Sequence, residues 1–212
     1  MALIVYIICF VVLNTAIGVI MHMIANKNEK LIRYIGITSY TVSFLFVFIL
    51  IVWQEEYQNI LVKNWSIGRY AIYNLVLALG LSMLIYIFRM LTIIKKTTIK
   101  KIYFQIGEQS EFFYKVVIAP VCEEILYRNL LLPSLLENYC FMSAAFLVSL
   151  IFAISHLQIK TFFYYFVSSF IFSGLFYITG SVLYTICSHM AYNFLCCTIV
   201  VQTESHKNQD TK

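Results

Sequence analysis

Three long stretches without a charged side chain set the strongest limit on what this chain can fold into. Residues 2–25, 34–53 and 70–88 contain no Lys, Arg, Asp or Glu. A helix needs about 20 predominantly apolar residues to cross a hydrocarbon core of ~30 Å, and each stretch is long enough. Only 12% of the 212 residues are charged, whereas soluble domains carry about 25%. The sequence therefore predicts a membrane protein with several spans.

Apolar stretches in the second half of the chain add further helices. The predicted fold class is all-α, a polytopic transmembrane helical bundle of about seven spans. The predicted spans are residues 2–25, 34–53, 70–88, 116–136, 139–158, 162–179 and 181–202. Short loops join the last four, so we expect these helices to be antiparallel neighbours. The first span lacks a basic n-region and a small-residue cleavage site, which favours a retained span over a cleaved signal peptide.

Lys and Arg between the spans predict the orientation of the bundle. Residues 89–115 contain six of them, residues 26–33 three and residues 54–69 two. Cytoplasmic loops carry the excess of Lys and Arg, so the first and third loops are expected inside and the N-terminus outside. A nucleic-acid-binding patch at 89–101 is disfavoured because basic residues flank membrane spans far more often. No nucleic acid is therefore expected as a partner, and residues 102–115 are expected along the cytoplasmic interface.

Three charged residues lie well inside the fourth predicted span, in the sequence APVCEEILYRNLLLP. They are Glu123, Glu124 and Arg128. A charge near the bilayer centre costs about 2.5–3.5 kcal/mol on insertion scales and usually faces a bundle interior or a wet cavity. Glu124 and Arg128 stand at i and i+4, where they can pair on one helical face. Glu123 projects about 100° away, with no cation at helical spacing in its own helix, so pairing does not explain it.

Two histidines and an asparagine in later spans can supply partners for Glu123. His156 lies in FAISH in the fifth predicted span, and His189 lies in HMAYN in the seventh. Asn193 follows His189 by four residues, so both side chains point the same way from one helix. A lone histidine inside a membrane is more often a helix–helix contact than a catalyst. Two histidines, an asparagine and this glutamate on three neighbouring spans favour a functional site instead.

Together these groups can carry out peptide hydrolysis. A carboxylate in a low-dielectric cavity can take a proton from water near neutral pH. An imidazole can share that proton or position the water, and His or Asn donors can stabilise the oxyanion on the scissile carbonyl. The chain has no Gly-x-Ser-x-Gly elbow and no HExxH motif, which disfavours a serine hydrolase and a zincin of the usual kind.

The six cysteines are predicted to be packing residues. All lie within or beside apolar stretches, and none forms a CxxC pair, so small polarizable core residues are the simpler interpretation. Cys122, next to Glu123, offers the alternative of a thiol nucleophile. Its neighbours are explained without that role, and packing is favoured.

Three short motifs, in order and on successive spans, resemble a known family. EEILYR is an EExxxR motif, FAISH is FxxxH and HMAYN is HxxxN. This pattern is similar to that of the CPBP family of intramembrane proteases, also called the Abi or CAAX-protease-like family. The family includes type II CAAX prenyl endopeptidases and bacterial relatives tied to bacteriocin immunity. The resemblance covers about residues 116–200. Asn129 stands where the family usually has Gly and Tyr127 replaces a common Phe, but neither change removes a catalytic group.

The resemblance implies a role for the catalytic residues of the three motifs. Glu123 would be the general base that activates water, with His156 helping to hold that water. His189 and Asn193 would complete the site as metal ligands or oxyanion stabilisers. One Glu and two His, namely Glu123, His156 and His189, can hold Zn²⁺ with water in an open position. Asparagine suits an oxyanion hole better, so a glutamate-activated water without an obligatory metal is favoured, and zinc stays an open alternative.

The resemblance also implies a division of the chain. Glu124 and Arg128 would be structural supports or contacts to a substrate carboxylate. Residues 1–115 would form variable N-terminal transmembrane spans and a basic cytoplasmic loop, residues 116–202 the catalytic core, and residues 203–212 a polar, frayed tail. The active site is expected inside the bundle, as a cavity in the inner half of the bilayer that is open to cytoplasmic water.

The predicted function is that of an intramembrane endopeptidase acting on a membrane-associated peptide or protein. Bacteriocin maturation, self-immunity or peptide processing is the expected role, in a bacterial cytoplasmic membrane, with the substrate and the lipid bilayer as partners. A proton-coupled transporter is one alternative, with Glu123 and the histidines as a proton relay. A non-catalytic immunity or scaffold protein is another. The chain shows no repeated, interrupted helices typical of transporters, and every motif residue is present, which disfavours both.

Overall fold

The computed structural model describes residues 67–104, 109–156, 158–159 and 161–205, with isolated positions nearer the N-terminus. The spans predicted at 2–25 and 34–53 lie outside the described residues except at a few of these positions, where the backbone is helical. The last residues of the predicted tail are also outside the described part. That part is therefore the second half of the chain together with the helix that precedes it.

Five helices make up most of the described part. They are α1 (Ala71–Lys96), α2 (residues 109–136), α3 (Phe141–Ser155), α4 (Phe162–Thr179) and α5 (Val182–Thr198). The span predicted at 162–179 coincides with α4. The helical class is confirmed, and the spans predicted for α3 and α5 end earlier than expected.

Two of the helices are long and apolar enough to cross a membrane, Ala71–Thr92 within α1 and Phe162–Thr179. α1 turns much of its apolar surface outward: Ile72 is 81% exposed and Val76 64% exposed. An apolar surface of this kind is rare on soluble monomers and suits contact with lipid. The chain is therefore a membrane protein, while the count of seven spans stays a prediction.

Two strands extend the bundle beyond the ends of α1 and α5. β1 (Thr97–Phe104) follows α1 directly, and β2 (Ile199–Ser205) follows α5. The two strands pair antiparallel, with one shift of register between Ile99 and Lys101. Both are rich in Thr, Ile and Val, whose branched side chains favour extended backbone. This pair was not predicted from the sequence. The span expected at 181–202 therefore stops short, and residues 203–205 of the expected tail are paired rather than frayed.

α2 changes its hydrogen-bond pattern on either side of the two glutamates. The α-helical segments Gln109–Phe113, Ala119–Glu124 and Leu132–Leu136 alternate with the π-helical segments Tyr114–Ile118 and Ile125–Leu131. Each π segment ends two residues before a proline, Pro120 or Pro133. Proline lacks an N–H, and its ring clashes with the carbonyl four residues earlier, so we attribute both π segments to these prolines. The glutamates thus occupy a short α-helical turn between two π segments, which are frequent at functional sites.

The core of the bundle is built around α2. Its buried apolar side chains, among them Leu126, Leu130 and Leu131, pack against Val148 and Phe152 of α3 and against the start of α5. The five residues named here are each at most 2% exposed. Substitutions here are therefore expected to destabilise the bundle.

The other helices close around α2 through short connections and small side chains. Gly180 ends α4 in the left-handed conformation, with φ +64°, which glycine adopts without strain. Only Ser181 separates it from α5, so α5 folds back next to α4. On its other side α5 contacts α1, where the Ser188 hydroxyl donates to the Ala78 carbonyl at 2.8 Å. This arrangement brings the histidine motif of α5 against the glutamates of α2.

Candidate active site

Glu124 and Arg128 form the buried ion pair that their i, i+4 spacing predicts. Arg128 Nη1 donates to Glu124 Oε1 at 2.9 Å, and both side chains are 0% exposed. Arg128 Nη2 also donates to Ser169 of α4, to its Oγ at 2.8 Å and to its carbonyl at 3.0 Å. The guanidinium carbon lies 5.1 Å from the ring centre of Phe152 and 5.6 Å from that of Phe172. This enclosure leaves Arg128 no accessible surface, which favours a supporting role over contact with a substrate.

His189 lies between the two glutamates. Its Nδ1 donates to Glu124 Oε1 at 2.8 Å, and its Nε2 lies 3.7 Å from Glu123 Oε2. The first distance is a hydrogen bond, whereas the second is too long for one and leaves room for a bridging group. The sequence predicts the pairing of Glu124 with Arg128 but not this bond from His189 to Glu124. Glu124 thus connects Arg128 and His189 through a single oxygen atom.

Glu123 differs from Glu124 in its access to the exterior. Its side chain is 12% exposed, compared with 0% for Glu124 and 7% for His189. Adjacent positions on a helix point about 100° apart, so one carboxylate enters the core while the other borders it. The group facing His189 Nε2 is therefore the carboxylate that a small molecule can reach.

His156 ends α3 and is held in one orientation. Its Nδ1 lies 2.8 Å from the Phe152 carbonyl, a contact in which the ring nitrogen must donate. The ring stacks on Tyr165 of α4, with centres 4.0 Å apart. Nε2 of the neutral ring is then an acceptor. The centre of the Phe152 ring lies 4.5 Å from that of His156 and 6.3 Å from that of His189. Phe152 therefore lies between His156 and His189, the histidine that contacts the two glutamates.

Asn193 lies one turn beyond His189 and ties α5 to α2. Its Nδ2 donates to the Lys115 carbonyl at 2.8 Å. The Ala119 N–H bonds to the Tyr114 carbonyl instead, and Pro120 has no N–H to offer, so α2 leaves this carbonyl without the helical donors expected for it. Asn193 supplies the missing hydrogen. Its amide keeps a second N–H, which is the group available for the predicted oxyanion role.

The residues present do not form the zinc site considered as an alternative. Among the described residues, which include Glu123, His156 and His189, no three His, Cys, Asp or Glu side chains are arranged to hold a metal ion. Nδ1 of His189 is engaged by Glu124, so Nε2 would be its only ligand atom. The zinc alternative therefore gains no support from the geometry and stays a prediction.

A cavity of about 320 Å³ lies among α1, α2, α4 and α5. It is lined by residues of α1, α2, α4 and α5 and by Thr161, and these are Arg89, Lys115, Ala119, Thr161, Tyr164, Tyr165, Tyr192, Asn193, Cys196 and Cys197. Ala119 lies one turn before Glu123 on α2, and Asn193 lies one turn after His189 on α5. Two residues of the lining are thus one helical turn from Glu123 and from His189, although neither Glu123 nor His189 lines the cavity itself. Arg89 was not recognised from the sequence as part of the site, because it lies outside the three motifs.

Cys122 is a buried free thiol on the same turn as the glutamates. Its side chain belongs to the part of α2 that faces the core, where only 7% of its surface is exposed. Burial of this degree is ordinary for an unpaired cysteine that packs as a small apolar residue. The thiol-nucleophile alternative gains no support from this position.

Comparison with known proteins identifies the part of the chain that carries these motifs. Residues 109–195 match the family described as type II CAAX prenyl endopeptidase Rce1-like. No curated protein and no solved structure matches the chain. The matched segment runs from the start of α2 into α5 and contains Glu123, His156, His189 and Asn193. The chain thus carries, at residues 109–195, a domain of the type II CAAX prenyl endopeptidase Rce1-like protease family, which confirms the CAAX-protease-like family predicted from the three motifs.

Proposed function

We propose that the chain is an intramembrane endopeptidase in which Glu123 activates the water that hydrolyses a peptide bond. The observation that carries the proposal is the position of His189, hydrogen-bonded to Glu124 and 3.7 Å from Glu123 Oε2. An acid–base residue needs to reach its proton directly or through one water. Glu123 Oε2 and His189 Nε2 are close enough for one water to contact both. The cavity lined by Ala119 and Asn193 is assigned as the route by which a peptide approaches them.

The reaction proceeds in two proton transfers. Glu123 takes a proton from water as the oxygen attacks the scissile carbonyl carbon, while Nε2 of His189 accepts a hydrogen bond from the same water and orients it. The tetrahedral intermediate then collapses, the C–N bond breaks, and the proton on Glu123 passes to the leaving amine. The products are a carboxylic acid and an amine, so one water is consumed for each bond cleaved.

The remaining groups hold this arrangement in place. Glu124 accepts from His189 Nδ1, which fixes the ring so that Nε2 faces Glu123. Arg128 neutralises Glu124, and Ser169 in turn positions Arg128. The second N–H of Asn193 is assigned to the oxyanion, where such a donor typically contributes about 10²–10³ in rate. His156 is assigned to the α3 side of the site as a second acceptor for water.

The substrate is proposed to be a membrane-associated peptide or protein. Bacteriocin maturation, self-immunity and peptide processing fit a multi-pass protein of a bacterial cytoplasmic membrane. The test compares membrane-peptide profiles of cells that make the wild-type chain, the Glu123→Gln variant or the Glu137→Gln variant. Glu137 is an exposed glutamate at the end of α2 and serves as the matched control.

The peptide profiles have clear outcomes. Peptides that accumulate with Glu123→Gln but not with Glu137→Gln, at equal protein levels in the membrane, support the endopeptidase. Identical profiles, together with protection from a bacteriocin that survives Glu123→Gln, would identify a non-catalytic immunity or scaffold protein. Proton-coupled uptake that is lost in Glu123→Gln without any change in peptides would identify a transporter.

A further inference from the structure

Arg89, counted from the sequence among the basic residues of the segment 89–115, has no carboxylate partner for its charge among the described residues. It lies in the last part of the apolar span Ala71–Thr92. Within the described part of the chain, the ion pairs that involve lysine or arginine are Lys115–Glu111 and Arg128–Glu124. The guanidinium of Arg89 instead donates to the Cys196 thiol of α5, close to Tyr192. The neutral thiol orients the charge without neutralising it. A charge in an apolar span is costly, and such residues commonly mark a functional site.

The direction of Arg89 separates it from an ordinary interfacial anchor. An anchor at the end of a span extends its charge towards the lipid headgroups. Arg89 turns inward across the bundle to Cys196, and Arg89, Cys196 and Tyr192 all line the cavity among the helices. It is only half-buried, and a guanidinium has five N–H donors, so several donors remain for a ligand in that cavity.

The lining of the cavity suits an anion. Its charged members are Arg89 and Lys115, and none of the described residues that line it is Asp or Glu. Lys115 is already compensated by Glu111 at 2.6 Å, which leaves Arg89 as the uncompensated charge. Tyrosine hydroxyls and the Asn193 amide add neutral hydrogen-bonding groups.

The cavity shares Asn193 with the proposed active site. Asn193 and Cys196 follow His189 by one and two turns on α5, so the Arg89 contact lies about 10 Å along the helix from His189. An extended peptide covers about 3.3 Å per residue, so a group bound at Arg89 belongs to a residue only a few positions from the scissile bond. Arg89 also lies outside residues 109–195, the segment that matches the protease family.

We infer that Arg89 forms an anion subsite that binds a carboxylate of the peptide substrate. The inference rests on the proposed endopeptidase function and names a substrate class, a peptide with an acidic group near the bond to be cleaved. That carboxylate belongs either to an acidic side chain or to the carboxyl terminus. The planar fork of arginine binds either one through two parallel hydrogen bonds.

The test measures peptide binding to the purified full chain in detergent micelles, in the Glu123→Gln background so that no probe is cleaved. The probes are one hydrophobic pentapeptide as its free acid, as its C-terminal amide, and as amides with a single Glu or Lys at each position in turn. The free acid or one Glu-bearing amide is expected to bind about ten- to a hundredfold more tightly than the neutral amide. Which of the two does so identifies the source of the carboxylate.

Variants at Arg89 locate the preference. Arg89→Gln should reduce the ratio of acid to amide affinity to near one, and Arg89→Lys should retain part of this preference. Arg69 is an exposed arginine before α1, and the control variant Arg69→Gln should leave the ratio unchanged. If Arg89→Gln does not fold, the chain with Arg89 intact is tested with the Lys-bearing probes instead. Weaker binding of a Lys-bearing probe than of the neutral amide then supports the anion subsite. Equal affinity for all probes, or a preference that survives Arg89→Gln, overturns the inference.

Two further arms separate other outcomes. Arg89-dependent binding of phosphatidylglycerol with no discrimination among peptides would overturn the inference in favour of a lipid headgroup. Cleavage of the best probe by the chain with Glu123 intact tests the endopeptidase itself. Cleavage without acidic preference refutes only the subsite, whereas acidic preference without Glu123-dependent cleavage refutes only the proposed reaction.

Discussion

Glu123 and Glu124 are neighbours in the sequence but occupy opposite sides of the site. Glu124 lies in a closed region, 0% exposed, where Arg128 and His189 both bond to one of its oxygens. Glu123 lies in an open region, 12% exposed, and faces the other nitrogen of the same histidine. These different surroundings are the basis for the different roles that we propose for two identical side chains, a charged support for Glu124 and a base for water for Glu123.

The closed region is expected to determine stability and the open region activity. A buried charge that loses its partner destabilises a fold strongly, whereas a carboxylate at a cavity can lose its charge with little effect on packing. Substitutions on the two sides should therefore separate the two properties.

Loss of Arg128 should have the largest effect on folding. Arg128→Met leaves Glu124 as an uncompensated charge in the core and should lower stability by about 3–5 kcal/mol. Thermal unfolding of the detergent-solubilised chain measures this loss. The double variant Glu124→Gln with Arg128→Met should recover part of it, because no buried charge remains. An Arg128→Met protein as stable as the wild type would contradict the separation of the two regions.

Ser169 should have a smaller effect on the same region. Ser169→Ala removes the Oγ that accepts from Arg128 at 2.8 Å but leaves the carbonyl that accepts at 3.0 Å, so a loss of about 1–2 kcal/mol is expected. Ser168 is the matched control, since its hydroxyl donates only to its own helix, at the Tyr165 carbonyl. Equal melting temperatures for Ser169→Ala and Ser168→Ala would show that Ser169 does not hold Arg128.

Asn193 should couple to Pro120 through the Lys115 carbonyl. Asn193→Ala leaves this carbonyl without its donor, at a cost of about 1 kcal/mol. In a Pro120→Ala background the helix regains an N–H at residue 120, so the same substitution should cost less. A double-mutant cycle by thermal unfolding measures the coupling. Additive effects would mean that the proline is not the reason the carbonyl needs Asn193.

The helices of the described part and the pairing of Glu124 with Arg128 could be predicted from the sequence, because apolar length and i, i+4 spacing are local properties. The π segments of α2 were not predicted, although Pro120 and Pro133 were the available signal. The pairing of β1 with β2 requires that α1 and α5 end next to each other. Local sequence patterns do not predict which helices are neighbours in the fold. The same holds for Arg89, whose position in the cavity results from the packing of α1 on α5.

The contact between Glu124 and His189 was missed for a related reason. The sequence offered Glu124 a sufficient partner in Arg128, so nothing local called for a second one. Only the fold shows that one carboxylate oxygen serves both groups. His189 is thereby oriented by the buried region and directed towards the open one.

The central claim is that Glu123 is the base that activates water. The direct measurement is the cleavage rate of a membrane-associated peptide by the purified chain in liposomes, for the wild type, Glu123→Gln and the control Glu137→Gln. Glu123→Gln should lower the rate by about 10²–10⁴-fold while its melting temperature matches that of the control. Cleavage by Glu123→Gln at the wild-type rate would contradict the account.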